Sequence, residues 1–305
     1  MTHTYEISCF NLQQIAQSGQ CFRMSPIPCD KLPEHADSGY RIISGGRLLS
    51  VFQNGFHVSF QCPKEDLDDW LAYFDWDLDY ENVIGSIDPK DTYLFAAAEA
   101  GQGIRILRQD PWEMIITFLI SQQKTIPKIR ELVEALSRAY GSPITAEGTS
   151  ASANAAAAYY AFPTPEQLSQ AGLDDLLALK LGYRAKYIHR VCQDAVNGRL
   201  DLEKLKRMDY KDAMEYLTGF YGIGKKVANC VCLFGLHHID AFPVDTWIEK
   251  ILMEHYYQAK KYRRTPKALL FDKIIKDSFG QYGGYAGIMQ QYIFYYERLR
   301  NGKLG

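Results

Sequence analysis

The sequence predicts an α+β fold, with a small antiparallel β-sheet domain in residues 1–95 and an all-α, two-lobed body in residues 96–305. Three observations carry this expectation. Short β-branched or apolar runs before Cys62 are separated by glycine-containing turns, the pattern of a sheet. Beyond Pro63 the apolar spacing becomes helical. A glycine hairpin, Gly222-Ile223-Gly224, then joins two helical stretches within residues 210–234.

Taken in order, Asn11 to Gln17 has the pattern of a short helix stopped at Ser18-Gly19. Tyr40 to Ser44, Leu48 to Phe52 and Phe56 to Phe60 read as strands. Gly45-Gly46 and Asn54-Gly55 separate them, and Asn-Gly favours a tight hairpin. Pro26 to Gly39 reads as a polar loop. Leu67, Trp70, Leu71 and Phe74 share a helix face. Helices are then expected at Tyr93 to Ala100, Pro111 to Ser121, Ile126 to Tyr140, Pro165 to Ala171, Asp174 to Leu179 and Arg184 to Asn197. More are expected at Leu202 to Lys206, Tyr210 to Leu217, Lys225 to Phe234, Val244 to Tyr257, Thr265 to Phe279 and Tyr285 to Leu299. Gly, Pro or Asp stands at the breaks, as helix starts and stops require. The Ala/Ser-rich stretch Thr145 to Tyr160 is expected to be a flexible surface loop.

With 47% hydrophobic residues the chain can build a core without a covalent staple. Its seven cysteines are an odd number without a CxxC pair, which argues against a disulfide framework and against a zinc site. Residues 242–305 contain no cysteine, so that region has no ligands for an iron–sulfur cluster, and no cofactor or catalytic metal is expected. The N-terminus lacks the features of a signal peptide, and no stretch approaches the ~20 apolar residues of a membrane span. These features predict a soluble, intracellular monomer, cytoplasmic or at the nucleoid if the source is bacterial. A net charge of −2 points to no nucleic acid globally, so any such binding needs local cations and backbone donors.

Local chemistry concentrates between Leu217 and Asp245. Lys226 lies at the start of an otherwise apolar helix, where burial makes an ammonium costly. An amine in such surroundings beside a carboxylate has the makings of an imine-forming nucleophile. Asp245 follows a Pro-Val step in a loop near residues 240–246. Its default role at a loop–helix junction is an N-cap, which is compatible with chemistry as well. Gly222 and Gly224 let the backbone turn sharply and approach a ligand, while the next helix start offers free N–H groups to an anion. Lys225 stands beside them. The dense run Lys260 to Arg264 falls between motifs and reads as a solvated loop. His237-His238 has no evident third ligand and reads as a pair of surface or cap residues.

This stretch resembles the helix–hairpin–helix, Gly/Pro-rich loop and aspartate motif of base-excision DNA glycosylases. SGQCFR (Ser18 to Arg23), RQDPWEMIITFLISQQKTIPKI (Arg108 to Ile129), LGYRAKYI (Leu181 to Ile188) and YAGIMQQYIF (Tyr285 to Phe294) are similar to segments of the 8-oxoguanine DNA glycosylase branch, in the same order. The resemblance covers most of the chain. It implies removal of 8-oxoguanine from duplex DNA by attack of Lys226 on the sugar C1′, with associated abasic-site lyase chemistry. Asp245 would stabilise the oxocarbenium-like charge, and both the apolar surroundings and Lys225 would favour the neutral amine of Lys226.

The same resemblance assigns base recognition to Gly19, Cys230, Gln290 and Phe294. The Gly19 carbonyl would accept from N7–H, Cys230 and Phe294 would sandwich the flipped base, and Gln290 would bond its Watson–Crick edge. Gln123, Tyr183 and Arg184 would be plug, wedge and orphan-cytosine contact. Gln123 is longer than the usual Asn. Lys128 replaces a cytosine-reading Arg, whose planar fork it cannot reproduce. Trp247 replaces a phosphate-contacting His. A weaker preference for cytosine opposite the lesion is therefore expected. A same-fold glycosylase for another damaged purine, such as an alkylated one, and a non-catalytic helix–hairpin–helix DNA-binding module are the alternatives. The latter has no need of the buried lysine, the aspartate and the stacking pair together.

Overall fold

The structure is a computed structural model that describes residues 1–144 and 159–304. Five antiparallel strands form one sheet in the order β1-β5-β4-β3-β2, with β1 Thr2–Glu6, β2 Met24–Pro26, β3 Ser38–Ser44, β4 Arg47–Asn54 and β5 His57–Gln61. The two tight connections are those the glycines predict, since Ser44 pairs with Arg47 and Asn54 with His57. Leu49 and Val51 on β4, and Val58 and Phe60 on β5, alternate inward and are fully buried. They pack with Leu12 and Ile15 of α1 (Leu12–Gln17) and with Trp70 of α2 (Leu67–Tyr73) in one core. Gln53 joins strand to helix: its amide oxygen accepts from Leu12 N at 2.9 Å and its amide nitrogen donates to Phe10 O at 2.8 Å.

The remainder is helical: α3 Tyr80–Gly85, α4 Thr92–Ala100, α5 Pro111–Ser121, α6 Ile126–Tyr140, α7 Pro165–Leu168, α8 Leu173–Ala178 and α9 Arg184–Val196. Then come α10 Leu202–Leu205, α11 Tyr210–Thr218, α12 Lys225–Phe234, α13 Thr246–Ile251, α14 Ala259–Tyr262, α15 Leu270–Phe279 and α16 Ala286–Arg300. The α5 start is specified locally, by Asp110 capping Glu113 N at 2.9 Å and by Pro111 in the first turn. Helix α5 is buried almost all round and forms the axis of the second core. Helix α16 crosses the body, packing on α4 and meeting α12 at Gly287, where an added Cβ would stand 2.7 Å from Leu233 Cδ1.

The two cores are joined by polar side chains. Buried Arg105 donates to the carbonyls of Phe74, Asp75 and Leu78 and lies 4.3 Å over the Tyr80 ring. Asp75 accepts from Arg108 at 2.8 Å and from the Tyr80 hydroxyl at 3.0 Å, and its other neighbour is His237 Nε2 at 3.2 Å.

The structure corrects several local expectations. Strands β1 and β2 extend the sheet beyond the three strands foreseen. The expected helix Val244 to Tyr257 is α13 followed by a π-helical turn, Leu252–Tyr256. Residues 260–264 are not simply a loop, since α14 ends there and Lys261 pairs with Asp277 at 3.0 Å. His237 is not a surface residue but reaches buried Asp75, while His238 is half-buried and its main-chain N–H takes the Cys232 carbonyl at the end of α12. Of the stretch expected as an Ala/Ser-rich loop, residues 145–158 lie outside the described residues. Tyr159–Tyr160 is a two-residue strand paired with Pro143–Ile144.

Candidate active site and nucleic-acid interface

Helices α11 and α12 pack against each other, and residues 219–224 make the reversal between them. Gly222 has φ +91°, and a Cβ there would stand 2.7 Å from the Tyr187 Cβ, so only glycine fits. Gly224 differs. It is the N-cap of α12 at φ −89°, and a Cβ added there would meet nothing within 4 Å. Neither strain nor crowding demands a glycine at 224, and the open space lies in front of the free N–H groups of the α12 start. A groove of about 930 Å³ runs along residues 218–224 and is also lined by Arg190 and Arg199. Lys225 is exposed and pairs with Asp272 at 3.3 Å.

Lys226, one residue further on, is half-buried rather than fully enclosed. Its Nζ lies 5.0 Å from the centre of the Phe118 ring and donates to Ser121 Oγ at 3.2 Å. The Ser121 hydroxyl donates onward to Phe118 O, which leaves its lone pairs for the lysine. Cys230, one turn along α12, is buried. Burial pushes its thiol up to about 11, with Lys226 pulling down and Asp245 pushing up. The thiol therefore lies within the field of both groups. Asp245 caps α13, with one carboxylate oxygen accepting from Trp247 N at 3.0 Å and Ile248 N at 2.9 Å.

Phe294 of α16 lies against the Gly19 turn. Gly19 has φ +82°, and its missing Cβ would stand 3.0 Å from Phe294 Cε1. Gln290, one turn earlier on α16, is buried and accepts from Gln291 Nε2 at 2.9 Å. The turn is held by buried Gln20, which donates to Ser18 Oγ and Arg105 O and accepts from Leu107 N.

A third group lies beside the hairpin, which Gln122 and Tyr187 touch. Gln123 is exposed at φ +53°, a conformation costly for a residue with a Cβ. Tyr183 is 44% exposed, whereas Arg184 is turned inward and buried. Both Arg184 Nε and its terminal nitrogen donate to Gln122 O, and the guanidinium lies 4.4 Å over the Tyr183 ring. Lys128 pairs with Glu131 at 2.5 Å. Gln122, absent from the sequence expectations, donates to Gly222 O at 3.2 Å and so ties this loop to the hairpin. Tyr187 and Tyr221 continue an edge-to-face ladder from Tyr183 to the hairpin. Ser121, Gln122 and Tyr187 carry no distinguishing signal in the sequence, because each acts through a neighbour brought close by folding. Among the described residues no group of three or more His, Cys, Asp or Glu is arranged to hold a metal, and no helix is long and apolar enough to cross a membrane.

The family model of the 8-oxoguanine DNA glycosylase N-terminal domain matches residues 4–115, and that of the HhH-GPD superfamily of base excision DNA repair proteins matches residues 116–272. The chain belongs to the HhH-GPD superfamily. Its HhH element is the α11–α12 hairpin, and its five-stranded domain is of the 8-oxoguanine glycosylase kind. An N-glycosylase/DNA lyase of Saccharomyces cerevisiae is 32% identical over 251 residues, which is 73% of this chain and 64% of the yeast protein. The chain thus spans less than two thirds of that relative. The solved structure of the Clostridium acetobutylicum 8-oxoguanine glycosylase/lyase, in complex with double-stranded DNA containing cytosine opposite 8-oxoguanine, is 30% identical with a TM-score of 0.83. That likeness covers 99% of this chain and 98% of the other. MBOgg1, solved with a low-affinity DNA ligand, is 33% identical with a TM-score of 0.84 over 98% of this chain and 96% of its own.

Proposed function

We propose that this protein is a bifunctional base-excision-repair enzyme that removes 8-oxoguanine from duplex DNA and then cleaves the strand as an abasic-site lyase. The observation that carries the reading is the half-buried Lys226 amine at the start of the hairpin helix, against Phe118, Ser121 and Cys230 and in company with Asp245. The Lys226 amine attacks C1′ as the bond from C1′ to the base nitrogen breaks and the base leaves. Loss of the amine proton gives an imine after ring opening, and removal of a C2′ proton then expels the 3′ phosphate. Asp245 stabilises the positive charge that develops on the sugar. Gly19 accepts from the N7–H that distinguishes the lesion, Cys230 and Phe294 stack the flipped base, and Gln290 reads its edge. Gly222, Gly224 and Lys225 grip a phosphate, while Gln123, Tyr183 and Lys128 face the gap and the orphan base, and Arg184 reaches that base by turning out from Gln122 O. The protein acts as a monomer on intracellular DNA and needs no cofactor.

The test is incubation with a duplex containing 8-oxoguanine in the presence of borohydride. Wild-type protein is expected to form a covalent adduct that Lys226→Gln loses. No adduct with wild-type protein overturns the lyase reading. A panel of alkylated and oxidised purines settles the base, and excision of an alkylated purine alone overturns the lesion assignment.

A further inference from the structure

The end of α1, which leads directly into Gly19, is held by two arginines from other parts of the chain. The last turn of a helix leaves carbonyls without intrahelical partners. Here Ile15 O is taken by the Ser18 hydroxyl at 2.8 Å, and Ala16 O accepts from Arg130 of α6 at 2.8 Å. Gln17 O accepts from Arg298 of α16. Arg298 is buried, with only 7% exposure. It lies one turn beyond Phe294 and two beyond Gln290, so the three share a helix face.

Its guanidinium stands 5.5 Å from the centre of the Phe294 ring, and one terminal nitrogen is 3.5 Å from the position a Gly19 Cβ would take. The other terminal nitrogen donates to Lys303 O at 2.9 Å, while Lys303 N donates back to Arg298 O at 2.8 Å. Burial, helped by nearby Arg130, brings the Arg298 guanidinium down to about 10, so it stays cationic at neutral pH. One side chain thus touches the turn, the aromatic wall and the C-terminal tail.

We infer that Arg298, backed by Arg130, is a positioning residue for base recognition: it fixes the Gly19 turn against Phe294, setting the gap into which a flipped base must fit. The inference rests on the assignment of Gly19 and Phe294 as base reader. Two like charges in one buried corner are a poor choice for stability alone. They are a good one for fixing two adjacent carbonyls, because a guanidinium presents several donors in a rigid fork. Lysine lacks that fork and can hold one of the two carbonyls, Gln17 O or Lys303 O, but not both in the same geometry.

The decisive feature is that an abasic site has no base to read. Arg298→Met, which keeps the bulk of the stem, is expected to slow single-turnover release of 8-oxoguanine by ~100-fold, the scale of an ångström-level misplacement. Strand cleavage at a preformed abasic site in the same duplex is expected to change by less than about threefold, and Arg298→Lys to lie between the two proteins in base release. Equal loss of both activities, accompanied by a lower melting temperature, overturns the inference in favour of a purely structural role. Undiminished base release by Arg298→Met overturns it outright. Wild-type protein that leaves 8-oxoguanine in place is a different failure, since it overturns the substrate assignment; the same ratio is then read on the base that is released.

Discussion

Asp245 caps α13 and, in the proposed mechanism, also stabilises charge on the sugar, and these two duties can be separated. One carboxylate oxygen takes both helix-start N–H groups, so Asn at this position keeps the cap and loses the charge. Asp245→Asn is expected to keep thermal stability close to wild type while lowering base release by about 100-fold. Asp245→Ala is expected to lose a further ~1 kcal/mol of stability in a denaturant titration. Loss of stability without loss of activity in the Ala variant would reduce Asp245 to a cap.

A second carboxylate, Glu113 on α5, is buried. Burial raises it from 4.5 to about 7, with Arg23 opposing and Asp110 and Glu134 adding to the rise. Its folded-state affinity for a proton exceeds the unfolded one, so its stabilising contribution is complete below pH 4.5 and is lost as pH rises through about 7. Glu113→Gln is therefore expected to raise the melting temperature at pH 8 and to leave it nearly unchanged at pH 4.5, as read by thermal scans at both pH values.

At the scale of elements, the hairpin separates two kinds of glycine. Gly222 is required by its own backbone and by Tyr187. Gly224 has ordinary dihedrals and open space, so a serine there should make a better N-cap. Gly224→Ser is expected to gain a few tenths of a kcal/mol in stability. It is also expected to weaken binding to undamaged duplex by about tenfold, roughly the value of one charge-assisted hydrogen bond to phosphate. Stability and duplex affinity rising together, measured by melting and by fluorescence anisotropy, would count against a phosphate in front of α12.

The elements legible in the sequence are those whose ends are written locally. Asp110-Pro111 starts α5, Gly224 starts α12, and both helices span the residues expected from the pattern. Strand β1 was not legible because only alternate residues are partly buried and none fully so. Helix α3 was missed because its six residues offer too short a periodic run. Lys226 and Asp245 stood out because a charge among apolar neighbours, or beside Pro-Val, is unusual. Arg298 and Arg130 did not, because a charged residue on a helix face normally marks solvent, and only the packed chain shows which carbonyls they meet.

Over the whole molecule, the two halves of the candidate site come from distant parts of the chain. Lys226, Asp245 and the hairpin lie within residues 217–245, whereas Gly19 meets Phe294 from the two ends of the chain. Arg298 spans from Gln17 to Lys303. The sheet domain and the helical body are fastened at Asp75 and Arg105, so that the chain returning along α16 meets a prepared seat on α1 and α4. This has a consequence for the order in which the protein is made. A ribosome that has released everything up to Asp245 has supplied Lys226, Asp245 and the α11–α12 hairpin, but neither Phe294 nor Arg298. Helix α16 is made after the hairpin and brings Tyr292 and Ile293 into the main core with it. The joining of α16 to the main core and the seating of Phe294 against the Gly19 turn are therefore the same event. A chain interrupted before Ala286 carries Lys226 and Asp245 without the part of the main core that α16 supplies.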